Sequence, residues 1–363
     1  MSPPAAPAPS LDLREDVQRE LVLATRRYWA GPLYRRVVAG ARRVGPVSGP
    51  DELERALARM PAYQAFGWLE QHLQTFKYTG PGGLMPAAER QRQVIEAMLA
   101  ASEGRHPERL VLDPAMRLPD YYRDTDFHLV PGGIHSRSWD GVVYEWAAGT
   151  ATMMQNESTD VHDSLARYLA TVTPGRRILD VGCGFGPTVR ALARALPEAT
   201  VTGCDLSAPV LRLAHHRALA EALTLRFVQA NGEDLGPFPD RSVDLVTATM
   251  FIHELPPPAL RAMLRAARRV LRPGGRLVVL DFYLVPGGTL GRFFHLGHAR
   301  RNGEPFMPAL LELDLPAELR AAGFSAPQIS PYPPGQPLDR LPESWRLPWT
   351  LIEAEALGGS DAA

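Results

Sequence analysis

The stretch from residue 177 to 189 constrains the fold of this chain more than any other. It reads RILDVGCGFGPTV, a short apolar run with an acid near its end, followed by three alternate glycines. The apolar run predicts a buried parallel strand, and residues 188–196 predict a helix. Glycines allow a sharp turn and a close approach to a ligand, while the N–H groups that open a helix favour polar or anionic groups. We therefore expect a loop that binds a nucleotide-like cofactor; a glycine-rich turn without a ligand is the alternative.

A regular alternation of strand and helix patterns follows this loop. The predicted strands are 200–203, 223–229, 243–248, 276–282, 328–331 and 345–354. Helical patterns at 188–196, 209–222 and 258–271 separate the first of them. Units of this length predict an α/β fold with a doubly wound, mostly parallel sheet.

The composition excludes several classes of protein. With 363 residues and 45% hydrophobic content the chain can bury a large core, and its net charge of -1 predicts no binding to nucleic acid or to an anionic membrane. No run of about 18 apolar residues is present, and the Pro/Ala-rich start lacks the features of a secretory signal. Two cysteines without disulfide or metal spacing suit a reducing compartment, so we expect a cytoplasmic protein.

The first 150 residues differ in pattern from the rest. Residues 1–10 are expected to be a disordered tail, and residues 11–150 a mainly helical N-terminal domain that covers the substrate. Helical patterns occur at 11–30, 63–78, 86–102, 142–155 and 161–171. Residues 105–141 are less periodic and rich in aromatic, acidic and histidine residues. This segment either folds over the active site as a loop or serves as a structured connector.

Acidic residues stand where a nucleotide cofactor would need them. Asp205 ends the second predicted strand, where a carboxylate can accept both ribose hydroxyls, and an Asn-Gly-Glu-Asp run begins at residue 231. The Asp-x-Gly-x-Gly-x-Gly loop precedes them, and the segments 243–246 (VDLV) and 271–277 (LRPGGRL) follow them. These motifs occur in the same order in a known family. From about residue 150 to 355 the chain resembles the class I S-adenosylmethionine-dependent methyltransferases. A dehydrogenase would require a different glycine spacing.

The resemblance implies a seven-stranded sheet with an antiparallel last strand, in a domain of residues 151–357 that binds S-adenosylmethionine. In that family Asp180 supports the loop, Asp205 binds the ribose, residues 232–234 line the adenine and Met250 closes the site. The residues implied for cofactor binding are Asp180, Gly182, Cys183, Gly184, Gly186, Asp205, Leu206, Gly232, Glu233, Asp234 and Met250.

The implied reaction is methyl transfer to oxygen, nitrogen or carbon of a small aromatic or apolar acceptor, by in-line displacement at a distance of about 3 to 3.5 Å. His253 is the candidate general base, with a substrate contact and a helix-start histidine as alternatives. A second hypothesis is a protein of this fold that uses the bound sulfonium for cyclisation or decarboxylation, or only as a binding module. RNA or protein methylation is less favoured by the near-neutral charge.

The acceptor side carries no comparable motif. Residues 283–306 are expected to be an irregular insertion that acts as a lid over the acceptor, and simple packing is the alternative for its side chains. The candidate acceptor contacts are Tyr122, His128, Tyr144, Phe294, His295 and Arg300. His295 and His298 have helical metal-ligand spacing but no third ligand, so no metal is predicted. The oligomeric state is left open, with a homodimer as one option.

Overall fold

The computed structural model describes residues 9–150, 160–173 and 175–358. Residues 1–8 of the predicted disordered tail lie outside this range. The same is true of the second part of the helix predicted at 142–155, from residue 151 onward.

An eight-stranded sheet forms the centre of the molecule, with the strand order β1-β4-β3-β2-β5-β6-β8-β7. Only β8 runs antiparallel to its neighbours β6 and β7, and the other described pairs are parallel. The predicted α/β class and the antiparallel last strand are therefore confirmed. The strands are β1 Leu110–Val111, β2 Arg177–Val181, β3 Thr200–Asp205, β4 Arg226–Gln229, β5 Val243–Thr249, β6 Leu271–Asp281, β7 Gln328–Tyr332 and β8 Trp349–Glu355.

The sheet has one strand more than the seven that the sequence predicted. Strand β1 comes from the segment 105–141, which was expected to be a loop, and it pairs in parallel with the edge strand β4. Two residues are too few to show an alternating pattern, and pairing with β4 makes them a strand.

Helices cover the sheet and continue before it. Within the described residues the α-helices are α1 Leu13–Tyr28, α2 Tyr34–Val44, α3 Pro50–Leu57, α4 Pro61–Phe76, α5 Leu84–Arg90, α6 Arg92–Glu103, α7 Asp120–Arg123, α8 Asp140–Ala148, α9 Val161–Val172, α10 Pro187–Ala195, α11 Ala208–Ala220, α12 Pro257–Val270, α13 Gly288–Asn302, α14 Met307–Glu312 and α15 Leu315–Ala321. A π-helical turn, Trp29–Leu33, joins α1 to α2 and contains Pro32. None of the described helices is long and apolar enough to cross a membrane.

The prediction that residues 283–306 are irregular is wrong, because most of them form helix α13. Gly287 before the helix and Gly303 after it have positive φ angles of 81° and 71°. Gly291 and Gly297 within it lower the intrinsic helix propensity and obscure the sequence pattern. Tertiary packing stabilises the helix instead, since Phe293 and Phe294 are buried.

One hydrophobic cluster joins the early helices to the sheet. It contains Trp29 and Phe66 from the first helices, and Ile178 and Leu245 from strands β2 and β5. The first helices of the chain therefore pack in the same core as the sheet. Tyr78, Ile95 and Val142 belong to another cluster, with Leu213 of α11.

Candidate active site

The glycine loop after β2 is held against the neighbouring strand by its own N–H groups. Gly182 and Cys183 donate to the Cys204 carbonyl at 2.9 and 3.0 Å, and Gly184 donates to Asp205 Oδ2 at 2.9 Å. Gly182 has a φ of 69°, and a Cβ there would overlap the ring of Phe251. Only glycine allows both the positive φ angle and the close contact with Phe251, so the loop lies flat at the edge of the sheet.

Two buried carboxyls flank this loop. Asp180 accepts a hydrogen bond from the Thr247 hydroxyl at 2.7 Å, and burial raises its pKa to about 7. Asp205 accepts from the Ser207 N–H at 2.9 Å, and burial raises its pKa to about 6 although backbone donors oppose the rise. Desolvation disfavours the charged form of both acids, so hydroxyl donors or a cation beside them would be stabilising.

The smaller of two cavities at this edge has a volume of about 60 Å³. Glu233 lines it and accepts a hydrogen bond from the Tyr121 hydroxyl at 3.1 Å. Asn231 also lines it and holds the Glu233 N–H through its side-chain oxygen at 2.9 Å. The predicted cofactor residues that line this cavity are Gly182, Gly184, Asp205, Leu206, Gly232, Glu233 and Met250.

Two of the predicted cofactor residues line neither cavity among the described residues. Asp234 is exposed, and its carboxylate accepts from the Gly236 N–H at 2.9 Å, which stabilises the turn after β4. Gly186 is the N-cap of α10 with a φ of 78°, so its conformation starts the helix. As cofactor contacts, both residues stay predictions.

A larger cavity of about 180 Å³ adjoins the smaller one. Gly182, Gly184, Tyr144 and Met250 line both, which makes them the boundary between the two spaces. Asp180 and Cys183 line the larger cavity only. A ligand that extends past the glycine loop from the smaller cavity would enter the larger one.

His253 lines the larger cavity and is fixed by Asp281 at the end of β6. Its Nδ1 lies 2.7 Å from Asp281 Oδ1, while Asp281 Oδ2 accepts from the N–H groups of Phe251 and Ile252 at 2.9 and 2.8 Å. Burial opposes the imidazolium, but the charge and hydrogen bond of Asp281 raise the pKa of His253 to about 9. Asp281 was not predicted, although an acid at the end of a buried strand beside the His253 strand was a usable signal.

A chain of polar side chains forms a second wall of the larger cavity. His128 Nε2 lies 2.9 Å from Glu254 Oε1, and its Nδ1 lies 3.5 Å from Glu304. His298 lies 3.4 Å from Glu304 and 2.7 Å from Glu70. Burial opposes protonation of His128, but the two glutamates raise its pKa to about 10. Sequence reasoning named His128 and missed the three glutamates, which lie far from it along the chain.

One group in the described part of the chain has the geometry of a metal site. The ligand atoms of His128, His253 and Glu254 all lie within 4.8 Å of one another. Each already has a partner in the protein, since His128 bonds Glu254 and His253 bonds Asp281.

The candidate acceptor contacts divide into two sets. Tyr122 lines the smaller cavity, His128 the larger one and Tyr144 both. Phe294 packs instead against Tyr34 and Trp345, with ring centroids 4.9 and 5.2 Å apart.

His295 and Arg300 also lie elsewhere. His295 is buried and bonds the Gly291 carbonyl of its own helix at 3.1 Å, whereas Arg300 is exposed and donates to Glu54 at 3.0 Å. Like Phe294, these two line neither cavity in the described part of the chain, and as acceptor contacts all three stay predictions. The geometry of α13 directs them into the core or to the surface.

A doubly wound sheet with a glycine loop after one strand, an acid after the next and a cavity across both defines a Rossmann-like enzyme with a nucleotide cofactor. The family described as methyltransferase domain matches residues 178–275. The chain is 34% identical to the 27-O-demethylrifamycin SV methyltransferase of Amycolatopsis mediterranei, over 52% of this chain and 68% of that protein. It belongs to the class I S-adenosylmethionine-dependent methyltransferases, and it is an enzyme with S-adenosylmethionine as its cofactor.

Two further similarities concern shorter stretches. The demethylmenaquinone methyltransferase of Thermus thermophilus is 37% identical over 39% of this chain and 63% of its own length. The ubiquinone/menaquinone biosynthesis C-methyltransferase UbiE of Ectopseudomonas mendocina is 39% identical over 34% of this chain and 47% of its own length. The chain thus spans about half to two thirds of these relatives.

Proposed function

We propose that this enzyme methylates an oxygen or carbon atom of a small, largely apolar acceptor that must lose a proton, with His253 as the general base. The single observation that carries the proposal is the Asp281–His253 pair in the larger cavity beside the glycine loop. A nitrogen nucleophile needs only to be neutral, whereas a phenol or an acidic carbon gains from a proton acceptor.

The names of these relatives support this class of acceptor. They describe enzymes that act on 27-O-demethylrifamycin SV and on demethylmenaquinone. An apolar acceptor suits the larger cavity, whose walls include Trp29, Leu73 and Phe282.

The smaller cavity suits the adenosine part of the cofactor. Asp205 would accept the ribose hydroxyls, while Gly232 and Glu233 would line the adenine. Asp180, on the side of the larger cavity, would face the amino group of the methionine part. Two buried acids with raised pKa values fit such a ligand, because its hydroxyls and positive charge would restabilise their ionised forms.

The side chains then divide the chemistry between them. S-adenosylmethionine, when bound, supplies a methyl group that its sulfonium has already activated. Asp281 keeps the Nδ1 side of His253 occupied, which leaves Nε2 to take the proton of the acceptor. His253 would hold the proton of the acceptor as an imidazolium that Asp281 stabilises.

Substitution of His253 tests this role. We expect His253→Gln to lower turnover by about 10²- to 10⁴-fold, the usual contribution of a general base, with little change in cofactor affinity. Methyl-labelled S-adenosylmethionine with 27-O-demethylrifamycin SV or a short-chain demethylmenaquinol as acceptor would measure transfer, and calorimetry would measure binding. Glu54→Gln, at an exposed ion pair, is the control. Wild-type turnover of His253→Gln at saturating acceptor would refute the base.

The pH dependence of turnover provides a second test, because a purely structural role of His253 would not affect it. An imidazolium cannot accept a proton, so turnover should rise with pH until His253 is neutral. The nearby carboxylate of Asp281 raises the pKa of His253, so Asp281→Asn should move this acid limb to lower pH. An unchanged limb in Asp281→Asn would contradict the role of the pair.

A further inference from the structure

The larger cavity contains the only lysine of the chain. Lys77 is one of 39 lysine and arginine residues in the sequence, and the other cationic residues are all arginine. It follows α4 as its C-cap residue, is 7% exposed and lines the cavity. Lys77 is thus the lysine of a cavity wall that Arg26 and Arg346 also line.

The ammonium of Lys77 is not neutralised by the protein. Among the described residues no carboxylate lies within 4.0 Å of it and none of their polar atoms bonds it. Its Nζ lies 4.7 Å from the centroid of the Tyr78 ring. Burial, and then the charge of Arg26, lower the pKa of Lys77 well below its ordinary value, although Glu304 opposes this.

Packing alone does not account for a lysine here. An unpaired buried cation destabilises a fold, and methionine would fill the same space without that cost. Arginine would stay charged and needs room for a planar fork, whereas a lysine amine changes its protonation state readily when buried. The residue type suits a site that receives a proton or an anion.

We propose that Lys77 forms a subsite for an ionisable oxygen of the acceptor, such as a carboxylic acid, phenol or enol, separate from the atom that is methylated. This rests on the proposed function, because it assigns part of the same cavity to the acceptor. The bound state is an ammonium and an oxyanion that pair within hydrogen-bond distance. If the amine is neutral beforehand, it takes its proton from the acceptor O–H, or from solvent when the acceptor arrives as the anion. No other bond forms or breaks.

Two probes of equal shape test the subsite. Calorimetry on the full chain with bound S-adenosylhomocysteine would compare 1-naphthoate with the neutral 1-naphthamide. We expect the wild type to bind the anion at least about tenfold more tightly, in line with one charge-assisted hydrogen bond, and Lys77→Met to lose this preference. Arg300→Met, at an exposed position away from the cavity, should keep it. Equal binding of the two probes by the wild type, no binding of naphthoate, or a preference that survives in Lys77→Met would each overturn the proposal.

A second measurement covers the possibility that the variant misfolds. Amine labelling with trinitrobenzenesulfonate and peptide mapping reports residue 77 without interference from other lysines, and naphthoate should slow its modification at least about threefold through occupancy of the amine. Lys77→Met should unfold at the same temperature or a higher one, since it removes a buried amine that has no hydrogen-bond partner among the described residues. Labelling that naphthoate does not slow, or a lower unfolding temperature, would count against the subsite.

These readouts depend on binding and not on methyl transfer. Loss of the probe preference with intact transfer would refute only the subsite. Absence of transfer to every acceptor, with the preference retained, would refute the proposed function and leave the subsite in place.

Discussion

Gly182 and Gly184 share a left-handed backbone but differ in their surroundings. Their φ angles are 69° and 52°, yet a Cβ at Gly182 would overlap Phe251, whereas one at Gly184 would lie 3.5 Å from Tyr144. Gly184→Ala should therefore cost mainly backbone strain, about 1 to 2 kcal/mol of unfolding free energy. Gly182→Ala should cost more and also weaken cofactor binding, because Phe251 lines the smaller cavity.

Urea unfolding and calorimetric titration with S-adenosylmethionine would measure the two effects of each substitution. Similar losses of S-adenosylmethionine affinity in both variants would show that displacement of Phe251 is not what weakens cofactor binding in Gly182→Ala.

The position of His253 could be predicted from the sequence, but its basicity could not. Its position after a strand was predicted, and the structure places it in the larger cavity. Its partner Asp281 is 28 positions away and meets it only because β5 and β6 are adjacent in the sheet. The basicity of His253 depends on that partner, so the sequence position alone did not determine it.

Helix α13 is tied to α4 by one buried carboxylate. Glu70 accepts from His298 at 2.7 Å and from Asn302 at 3.0 Å, and it forms an ion pair with Arg301. The side chains of Glu70 and Arg301 are 2% and 10% exposed, so neither charge is well solvated. This contact fixes α13 where His298 and Asn302 line the larger cavity.

Removal of this carboxylate should be costly. We expect Glu70→Ala to lower the unfolding free energy by about 3 to 5 kcal/mol, because it leaves a buried guanidinium without its partner. The matched control is Glu54→Ala, which removes the partner of Arg300 on the same helix, where the side chains are 35% and 58% exposed. That loss should stay below about 1 kcal/mol. Urea unfolding of both variants would measure the two losses of unfolding free energy. Equal losses would contradict the explanation that burial makes the loss of Glu70 more costly.

The secondary structure of α13 was not predictable from its sequence. Its glycines and mixed polar residues suggested an irregular lid, and the helix depends on its burial against α3 and α4. By contrast, the strands of the sheet were predicted because their apolar runs and bounding turns are local signals.

The first helices of the chain and the sheet share a buried cluster. Trp29 and Phe66 belong to the same buried cluster as Ile178 and Leu245. The division into a domain of residues 11–150 and one of residues 151–357 stays a prediction. Residues 151–159, at the proposed boundary, lie outside the described range.

A shared core predicts cooperative unfolding. We expect a single calorimetric transition, with equal calorimetric and van't Hoff enthalpies, because neither part can unfold without exposing the apolar surface of the other. Scanning calorimetry of the cofactor-free protein would measure this. Two resolved transitions would instead show that the parts are energetically separate.

The sequence by itself predicted seven of the eight strands, the glycine loop and the position of Asp205, because strand periodicity and the residues at strand ends are short-range features of the chain. It could not determine the acceptor side. Glu70, His128, Glu254 and His298 are bonded to partners that lie 126 or more positions away, and only the packing of helices on the sheet brings them together. The tertiary structure also decided the surroundings of Lys77, since burial without a counter-ion is a property of the cavity and not of the residues next to it in sequence.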